Sequence, residues 1–218
     1  MMTDDLVLYS YFRSSAAYRV RIALNLKNIP YRIEPVHLLK NGGDQHTADY
    51  LAINPEGLVP ALRHGDLVLT QSLAIIEYLE ELVPSPSLLP AGPAARAQVR
   101  ALALLIACDI HPVNNLRVVQ YLQSGLGLAD AARQAWYRHW VQLGLSAFEA
   151  HLAKKPDALF CCGDQPTMAD CCLIPQLFNA RRFDCDLSAC PRAVAIEAHC
   201  QTLPAFTRAA PDNQPDAA

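Results

Sequence analysis

Two adjacent serines, Ser14 and Ser15, stand where a short apolar stretch gives way to a helical pattern. Either hydroxyl can cap the first turn of that helix, which is the purely structural interpretation. A helix N-terminus also presents free amides and partial positive charge, so a thiolate placed there has a pKa below the usual value of about 8.5. Because residues 1–107 contain no cysteine, a thiol that reacts here must belong to a bound ligand.

A second candidate site is the segment 58–61 (LVPA), which follows the turn-forming residues 54–57. The peptide bond before Pro60 has two interpretations, an ordinary trans turn and a cis bond, and the spacing does not choose between them. In the cis case we expect the backbone groups of Val59 to face outward. They would then pair with an extended peptide ligand as an added strand does.

A third candidate site is the step Gln71-Ser72, which opens a predicted helix over 72–82. Ser72 capping that helix is the structural interpretation. The functional interpretation is that the helix N-terminus attracts an anion, while the two side chains hold the amine and the carboxylate of a ligand. Taken separately, each of the three signals is weak.

The composition narrows the class of protein. Of the 218 residues, 52% are apolar and 18% are charged, and the 18 basic and 21 acidic groups give a net charge of −3. No polybasic run is present, and the longest apolar run, 101–108, has eight residues where a membrane span needs about 20. The N-terminus shows no signal-peptide pattern. We therefore expect a cytoplasmic protein that binds neither nucleic acid nor membrane.

Cysteine usage points away from both disulfides and metal. All eight cysteines lie between Cys108 and Cys200, two pairs are directly adjacent, and there is no C-x-x-C. We expect reduced, mostly buried thiols and no metal site. The sequence also lacks the phosphate-binding glycine loops and the serine-hydrolase elbow.

Prolines divide the chain, since four of the 16 fall within residues 84–93. Before them, the patterns predict the order β-α-β-α-β-β-α, which is the thioredoxin-like arrangement, in an α+β domain over 1–86. A linker at 87–93 leads to an all-α domain over 94–218. This domain is predicted to begin with a long helix over 94–122. A later helix carries an apolar stripe through Trp136, Trp140 and Leu143, which Tyr137, Val141 and Phe148 widen. A capping box at Thr167–Asp170 and a frayed tail from Pro211 complete the predictions for this domain.

Taken together, three stretches resemble the zeta class of glutathione transferases, and more closely its bacterial maleylacetoacetate and maleylpyruvate isomerases. They are 13–24 (RSSAAYRVRIAL), 54–62 (NPEGLVPAL) and 71–81 (QSLAIIEYLEE). The segments 108–118 (CDIHPVNNLRV) and 163–170 (GDQPTMAD) extend the resemblance over nearly the whole chain. It implies the glutathione transferase fold, glutathione as the missing thiol, and a homodimer.

The resemblance also implies roles for individual residues. Ser14 and Ser15 would face the glutathione sulfur, with Arg13 beside them in the catalytic group. The cofactor would further contact residues from both regions: Gln45 at its glycyl end, Val59 and Pro60 at its cysteinyl part, Gln71 and Ser72 at its γ-glutamyl end, and His111 and Asn115 from the second region. For His111 alone, a capping or core role is the alternative. Ala16 stands where the class usually has cysteine, and Tyr18 where it usually has tryptophan or histidine.

The implied reaction is the glutathione-dependent cis–trans isomerisation of a maleyl keto acid, by thiolate addition, rotation and elimination. Such a substrate carries two carboxylates, for which Arg13, Arg117 and either Arg181 or Arg182 are candidate clamps, with a slight preference for Arg181. The first alternative is a broader transferase of the same class, acting on small electrophiles or 2-halo acids. The second is a non-catalytic binding module, which the intact serine pair and Gln-Ser step disfavour.

Overall fold

The computed structural model describes residues 5–217, which form two compact units. One unit runs up to Leu88 and takes in the chain from Gln201 onward, and the other spans Leu89–Cys200. The boundary lies within the proline-rich stretch. This division differs from the predicted domain boundaries at the C-terminal end. The residues after 200 join the first unit and not the helical domain expected over 94–218.

The first unit follows the predicted element order. Its elements are β1 (Leu6–Ser10), α1 (Ser15–Leu26), β2 (Arg32–Pro35), α2 (Ala48–Ile53), β3 (Ala61–His64), β4 (Leu67–Thr70) and α3 (Ser72–Leu82), joined after residue 200 by α9 (Pro204–Ala209). The strands lie in the order β2-β1-β3-β4. Strand β1 is parallel to β2 and antiparallel to β3, and β3 and β4 form a hairpin. This is the predicted thioredoxin-like arrangement.

Burial explains why α1 begins where it does. All five residues of β1 are buried, so the strand ends at a fixed depth in the sheet. Helix α1 is buried over most of its length between α3 and α9. Its N-terminus therefore meets the carboxyl end of β1 in a turn over residues 11–14, called here the serine turn. The serine turn is the part of the fold that positions the first candidate site.

The second unit is helical, as predicted. Its α-helices are α4 (Pro93–Leu104), α5 (Leu116–Ser124), α6 (Asp130–Leu152), α7 (Met168–Arg182) and α8 (Pro191–Cys200). The single helix predicted over 94–122 is wrong, because α4 continues into a π-helical turn (Leu105–Ile110) and a 3₁₀ turn (Pro112–Asn114) before α5 begins. Pro112 has no amide to donate, and Asn115, in extended conformation, caps a new helix.

The capping box at the start of α7 is confirmed. Both the backbone N–H and the hydroxyl of Thr167 donate to the Asp170 carboxylate at 2.8 Å. The N–H of Cys161 donates to the other oxygen at the same distance. Asp170 is fully buried, and burial raises its pKa, against the lowering effect of these hydrogen bonds. The carboxylate thereby ties the loop before α7 to the helix.

The cysteines are free thiols, as predicted, and most are buried. Burial raises the pKa of Cys161 and Cys171 well above the ordinary value, and that of Cys162 to about 11. Such thiols stay protonated at neutral pH and are poor nucleophiles. They belong to the core of the second unit and offer no reactive thiolate.

By length and composition alone, one helical run in the described part of the chain, Pro93–Ser124, passes the test for a membrane span, with a mean hydropathy of 1.3. The run is not one straight helix, since it contains the π-helical and 3₁₀ turns and the extended Asn115. A single run of this kind is weak evidence for a span, because the core helix of a globular protein can have the same length and composition.

Candidate functional site

The hydroxyl of Ser14 is at the N-terminus of α1. Its Oγ accepts a hydrogen bond from the backbone N–H of Ala17 at 3.2 Å, which confirms the capping interpretation. Accepting that bond uses an oxygen lone pair and leaves the hydroxyl proton to be donated elsewhere. Ser14 is partly exposed, whereas Ser15 is only 4% exposed. The geometry therefore favours Ser14 as the hydroxyl that meets a ligand.

Arg13 is the exposed residue of the serine turn. Its guanidinium lies over the ring of Phe12, 4.8 Å from the ring centroid. The buried ring holds the guanidinium in place by a cation–π contact. A positive charge thus stands next to the Ser14 hydroxyl in sequence and on the solvent side of the turn.

The peptide bond Val59–Pro60 is cis, which decides between the two interpretations of this segment. The preceding carbonyl, that of Leu58, accepts hydrogen bonds from the Tyr50 hydroxyl at 2.6 Å and the Asn54 amide at 2.8 Å. Across residues 5–217, Val59 itself makes no backbone hydrogen bond in a turn, loop or cap. Its backbone groups are therefore available to an extended ligand.

The N-terminus of α3 forms a polar cluster. Gln71 has a left-handed φ of 67°, and its amide donates to the Glu56 carboxylate at 2.8 Å. That bond uses an amide N–H, so the amide oxygen of Gln71 remains an acceptor. Ser72 is buried and accepts from the guanidinium of Arg19 at 3.2 Å, so its own hydroxyl proton is left to donate. An acceptor for an amine and a donor for a carboxylate stand side by side. The capping interpretation of Ser72 is wrong, because the N-cap residue of α3 is Gln71 and no side-chain hydrogen bond caps the helix.

Gln45 is buried in a 3₁₀ turn (Asp44–His46) after β2. Its Nε2 donates to the carbonyl of Leu38 at 3.4 Å, while its Oε1 is buried and has no hydrogen-bond partner within residues 5–217. Gly43 has a φ of 99°, and a Cβ there would collide with the Gln45 amide. The fold thus holds a buried acceptor in place with no donor from the described chain.

The second-region candidates occupy the junction between the π-helical turn and α5. The Asn115 side chain caps α5 by accepting from the N–H of Arg117 at 3.2 Å, and its Nδ2 lies 3.4 Å from Nε2 of His111. Arg117 is exposed in the first turn of α5. The structure brings the three residues together within their own unit. Asn115 therefore has a structural role as the N-cap of α5, which sequence reasoning did not predict.

The last turn of α7 distinguishes two adjacent arginines. Arg181 forms an ion pair with Glu197 of α8 through its NH2 group. Its Nε also donates to the same carboxylate at 3.4 Å. The hydrogen bond to Glu197 raises the pKa of Arg181. Arg182 lies instead over the ring of Phe183, 5.1 Å from its centroid. Because the Arg181 fork already binds a carboxylate, the slight preference for Arg181 loses its support, and the choice between the two arginines stays a prediction.

Sequence reasoning missed Glu56 and Arg19, the two charged partners of the Gln71-Ser72 step. Glu56 also accepts from the Thr70 hydroxyl at 3.2 Å, so it binds both Gln71 and the residue before it. Arg19 is 2% exposed, although an arginine in an amphipathic helix is expected at the surface. Their partners are 14 or more residues away, and no local spacing signals such contacts.

Comparisons with known proteins identify the family of this chain. Residues 13–82 match the glutathione S-transferase N-terminal domain, and residues 130–193 match its C-terminal domain. The chain is 52% identical to a probable maleylacetoacetate isomerase of Vibrio cholerae, over 98% of this chain and 99% of that protein. The structure of a bacterial zeta-class maleylpyruvate isomerase superposes with a TM-score of 0.94 at 49% identity, covering 97% of this chain and all of that one. A maleylacetoacetate isomerase of Methylobacterium extorquens with bound malonate and glutathione gives 0.92 at 43% identity, covering 97% and 99%.

Proposed function

Because this chain belongs to the zeta class of the glutathione S-transferase family, we propose that it is a glutathione-dependent isomerase that converts a maleyl keto acid into its fumaryl isomer. One observation carries the proposal. The first unit places the Ser14 hydroxyl and the N-terminus of α1 where a thiolate is stabilised, yet the unit contains no cysteine. The reacting thiol must therefore come from a bound ligand, and glutathione is the cofactor.

The residues of the first unit fit glutathione group by group. The Gln71 oxygen and the Glu56 carboxylate suit its γ-glutamyl ammonium, and the Ser72 hydroxyl beside Arg19 suits the carboxylate at the same end. The backbone of Val59 suits the cysteinyl part. The cofactor's terminal peptide N–H is a donor of the kind that Gln45 Oε1 lacks. We assign these residues to cofactor binding, with Pro60 setting the backbone direction at Val59.

Glutathione, when bound, supplies a thiolate that adds reversibly to the activated double bond and so allows rotation about it. The chain's own residues make that thiolate available. The Ser14 hydroxyl donates a hydrogen bond to the thiolate sulfur, and the free amides of the first turn of α1 add partial positive charge. Both effects favour the ionised thiol at neutral pH. Arg13, on the solvent side of the same turn, counters negative charge that develops on the keto oxygen.

The substrate is a small dicarboxylic keto acid in this proposal, maleylpyruvate or maleylacetoacetate. The relative from Methylobacterium extorquens binds a small dicarboxylate, malonate, together with glutathione. Arg13, Arg117 and Arg182 are the arginines that we assign to carboxylate binding. His111 and Asn115 are assigned to cofactor contact on the family resemblance. A cytoplasmic homodimer is likewise part of the proposal.

The test is an isomerisation assay on freshly generated maleylpyruvate and maleylacetoacetate, coupled to a fumaryl-specific hydrolase and run with and without glutathione. We expect turnover only when glutathione is present, and the ratio of kcat/KM values ranks the two substrates. Glutathione binding without turnover of either acid would contradict the isomerase and leave the broader transferase. No binding of glutathione would contradict the assignment of the serine turn itself.

Arg182 and Arg181 form a matched pair for testing substrate recognition. We expect Arg182→Gln to raise KM for the maleyl acid about 10-fold to 100-fold, because a hydrogen bond to a charged group contributes about 1.5–3 kcal/mol. Arg181→Gln removes only an exposed ion pair with Glu197, so KM should stay near the wild-type value. Steady-state kinetics at saturating glutathione measures both. The reverse ranking would restore Arg181 as the carboxylate clamp.

A further inference from the structure

The polar C-terminal tail, expected to fray, is bound to the serine turn. Residues Pro211–Asn213 form a 3₁₀ turn, and the buried Gln214 side chain donates to the carbonyls of Arg208 at 2.9 Å and Ala210 at 2.8 Å. Two residues later, Asp216 Oδ2 accepts a hydrogen bond from the backbone N–H of Phe12 at 2.9 Å. The prediction of a frayed tail is therefore wrong. The tail reaches the residue that precedes Arg13 and Ser14.

The opposite side of the serine turn is held by Arg21, which is fully buried. Its NH1 group donates to the Ser10 hydroxyl at 3.0 Å, and its NH2 group donates to the Phe12 carbonyl at 3.0 Å. Its Nε donates to the carbonyl of Ala209 at 2.9 Å, which connects α1 to the start of the tail. Burial lowers the pKa of Arg21 to about 10, so the group keeps its charge at neutral pH.

Both backbone polar groups of Phe12 are thus hydrogen-bonded. Its carbonyl is bound by Arg21 and its N–H by Asp216, while its ring packs in the cluster that also contains Tyr11. The next residue contacts the same ring through a cation–π interaction. A shift of Phe12 therefore carries Arg13 and Ser14 with it. Loss of either hydrogen bond leaves a backbone polar group of Phe12 without its partner and lets the serine turn move.

We propose that Asp216 is a positioning residue for the reaction, acting through the Phe12 N–H to hold the serine turn in its productive geometry. The inference rests on the proposed function, in that Ser14 and Arg13 are the groups that need positioning. Asp216 touches neither substrate nor cofactor in this role. Its effect arises because misplacement of reacting groups by about 1 Å costs on the order of 10²-fold in rate.

Three substitutions separate the hydrogen bond from the charge. Asp216→Ala removes both, Asp216→Asn keeps a carbonyl oxygen of the same reach but no charge, and Asp216→Glu keeps the charge but displaces the oxygen. We expect kcat to fall about 10-fold to 100-fold in the Ala and Glu variants and to recover most of that loss in the Asn variant. The exposed Asp212→Ala, in the same tail, is the matched control and should leave kcat unchanged.

A purely structural role is distinguished by titrating the thiol of bound glutathione through its ultraviolet thiolate absorbance, with no substrate present. A displaced serine turn should raise the pKa of that thiol in the Ala and Glu variants and leave it near wild type in the Asn variant. Wild-type kcat and thiol pKa in all three would overturn the proposal. So would loss in the Asn variant with full activity in the Glu variant, since charge alone would then be required.

The same titration keeps this inference separate from the proposed function. If the wild-type enzyme binds glutathione but isomerises neither maleyl acid, the proposed function fails, while the thiol pKa of the three variants still tests Asp216. If the wild-type enzyme isomerises and the variants do not differ from it, only the role of Asp216 fails.

Discussion

Ser14→Ala should lower kcat for glutathione-dependent isomerisation on the order of 10²–10³-fold, which is the typical cost of losing one donor to a developing or fixed anion. The hydroxyl proton is the part of Ser14 that the cap does not use, because the cap engages the oxygen as acceptor from Ala17. Without it, the pKa of the bound thiol rises and less thiolate forms at neutral pH. Stopped-flow or steady-state assays across pH should show the activity recovering partly as pH increases.

The capping role of Ser14 sets the controls. Its loss should also reduce the free energy of unfolding by about 1 kcal/mol, which urea titration measures independently of activity. Ser14→Thr keeps both hydroxyl and cap and should retain most of kcat. Ser15→Ala alters the buried neighbour and should change kcat far less. If Ser15→Ala lost activity and Ser14→Ala kept it, the thiolate partner would be Ser15.

Local patterns sufficed for the parts of the fold in which each element is recognised by its own residues. The order β-α-β-α-β-β-α and the capping box at 167–170 were predicted because hydrophobic periodicity, turn residues and cap chemistry act over a few positions. The serine pair and the Gln71-Ser72 step were located in the same way. At Ser14 the capping interpretation and the ligand-binding interpretation use different atoms of one side chain, so both can hold.

The predictions that failed depended on contacts between distant segments. The tail was expected to fray because its composition is polar, but Asp216 finds its partner 204 positions away. In α6, the residues predicted to widen the stripe, Tyr137, Val141 and Phe148, are buried as expected, together with Leu145. The predicted centre of the stripe is wrong, because Trp136 and Trp140 are half-buried and Leu143 is 57% exposed. Adjacent residues on a helix point in different directions. An error of one position in the apolar pattern therefore places the predicted buried stripe on the wrong side chains. The choice between Arg181 and Arg182 stays a prediction, because adjacent helical residues face different ways.

The second large effect concerns stability and a buried ion pair in the first unit. Lys27, at the end of α1, has its ammonium fully buried, 2.6 Å from Glu80 Oε2 on α3. The ammonium also donates to the carbonyls of Val83 at 2.7 Å and Pro86 at 3.0 Å. Glu80 in turn accepts from the N–H of Leu88 at 2.9 Å. One ion pair thus ties α1, α3 and the start of the proline-rich segment together.

Removing one member of this pair should be far more damaging than removing both. Lys27→Met leaves the Glu80 carboxylate buried without its cation, and we expect a loss of about 3–5 kcal/mol in the free energy of unfolding. Replacing both partners by apolar residues of similar volume, Lys27→Met with Glu80→Leu, should recover much of that loss. Urea unfolding of the two single variants and the double variant measures the coupling. If the losses in the free energy of unfolding were additive in the double variant, the coupling between Lys27 and Glu80 would be contradicted.

The pH dependence gives an independent check with a defined sign. Burial alone would raise the pKa of Glu80, but hydrogen bonds from Leu88, Lys27 and Ser87 hold it below the ordinary value. A carboxyl with a lowered pKa in the folded state contributes stability above its unfolded pKa of about 4.3 and loses it as pH falls through the folded pKa. Wild-type stability should therefore fall below about pH 4.5 more steeply than that of Glu80→Gln, which has no proton to take up at this position. Equal slopes in acid would show that the ion pair does not govern the acid stability of the first unit.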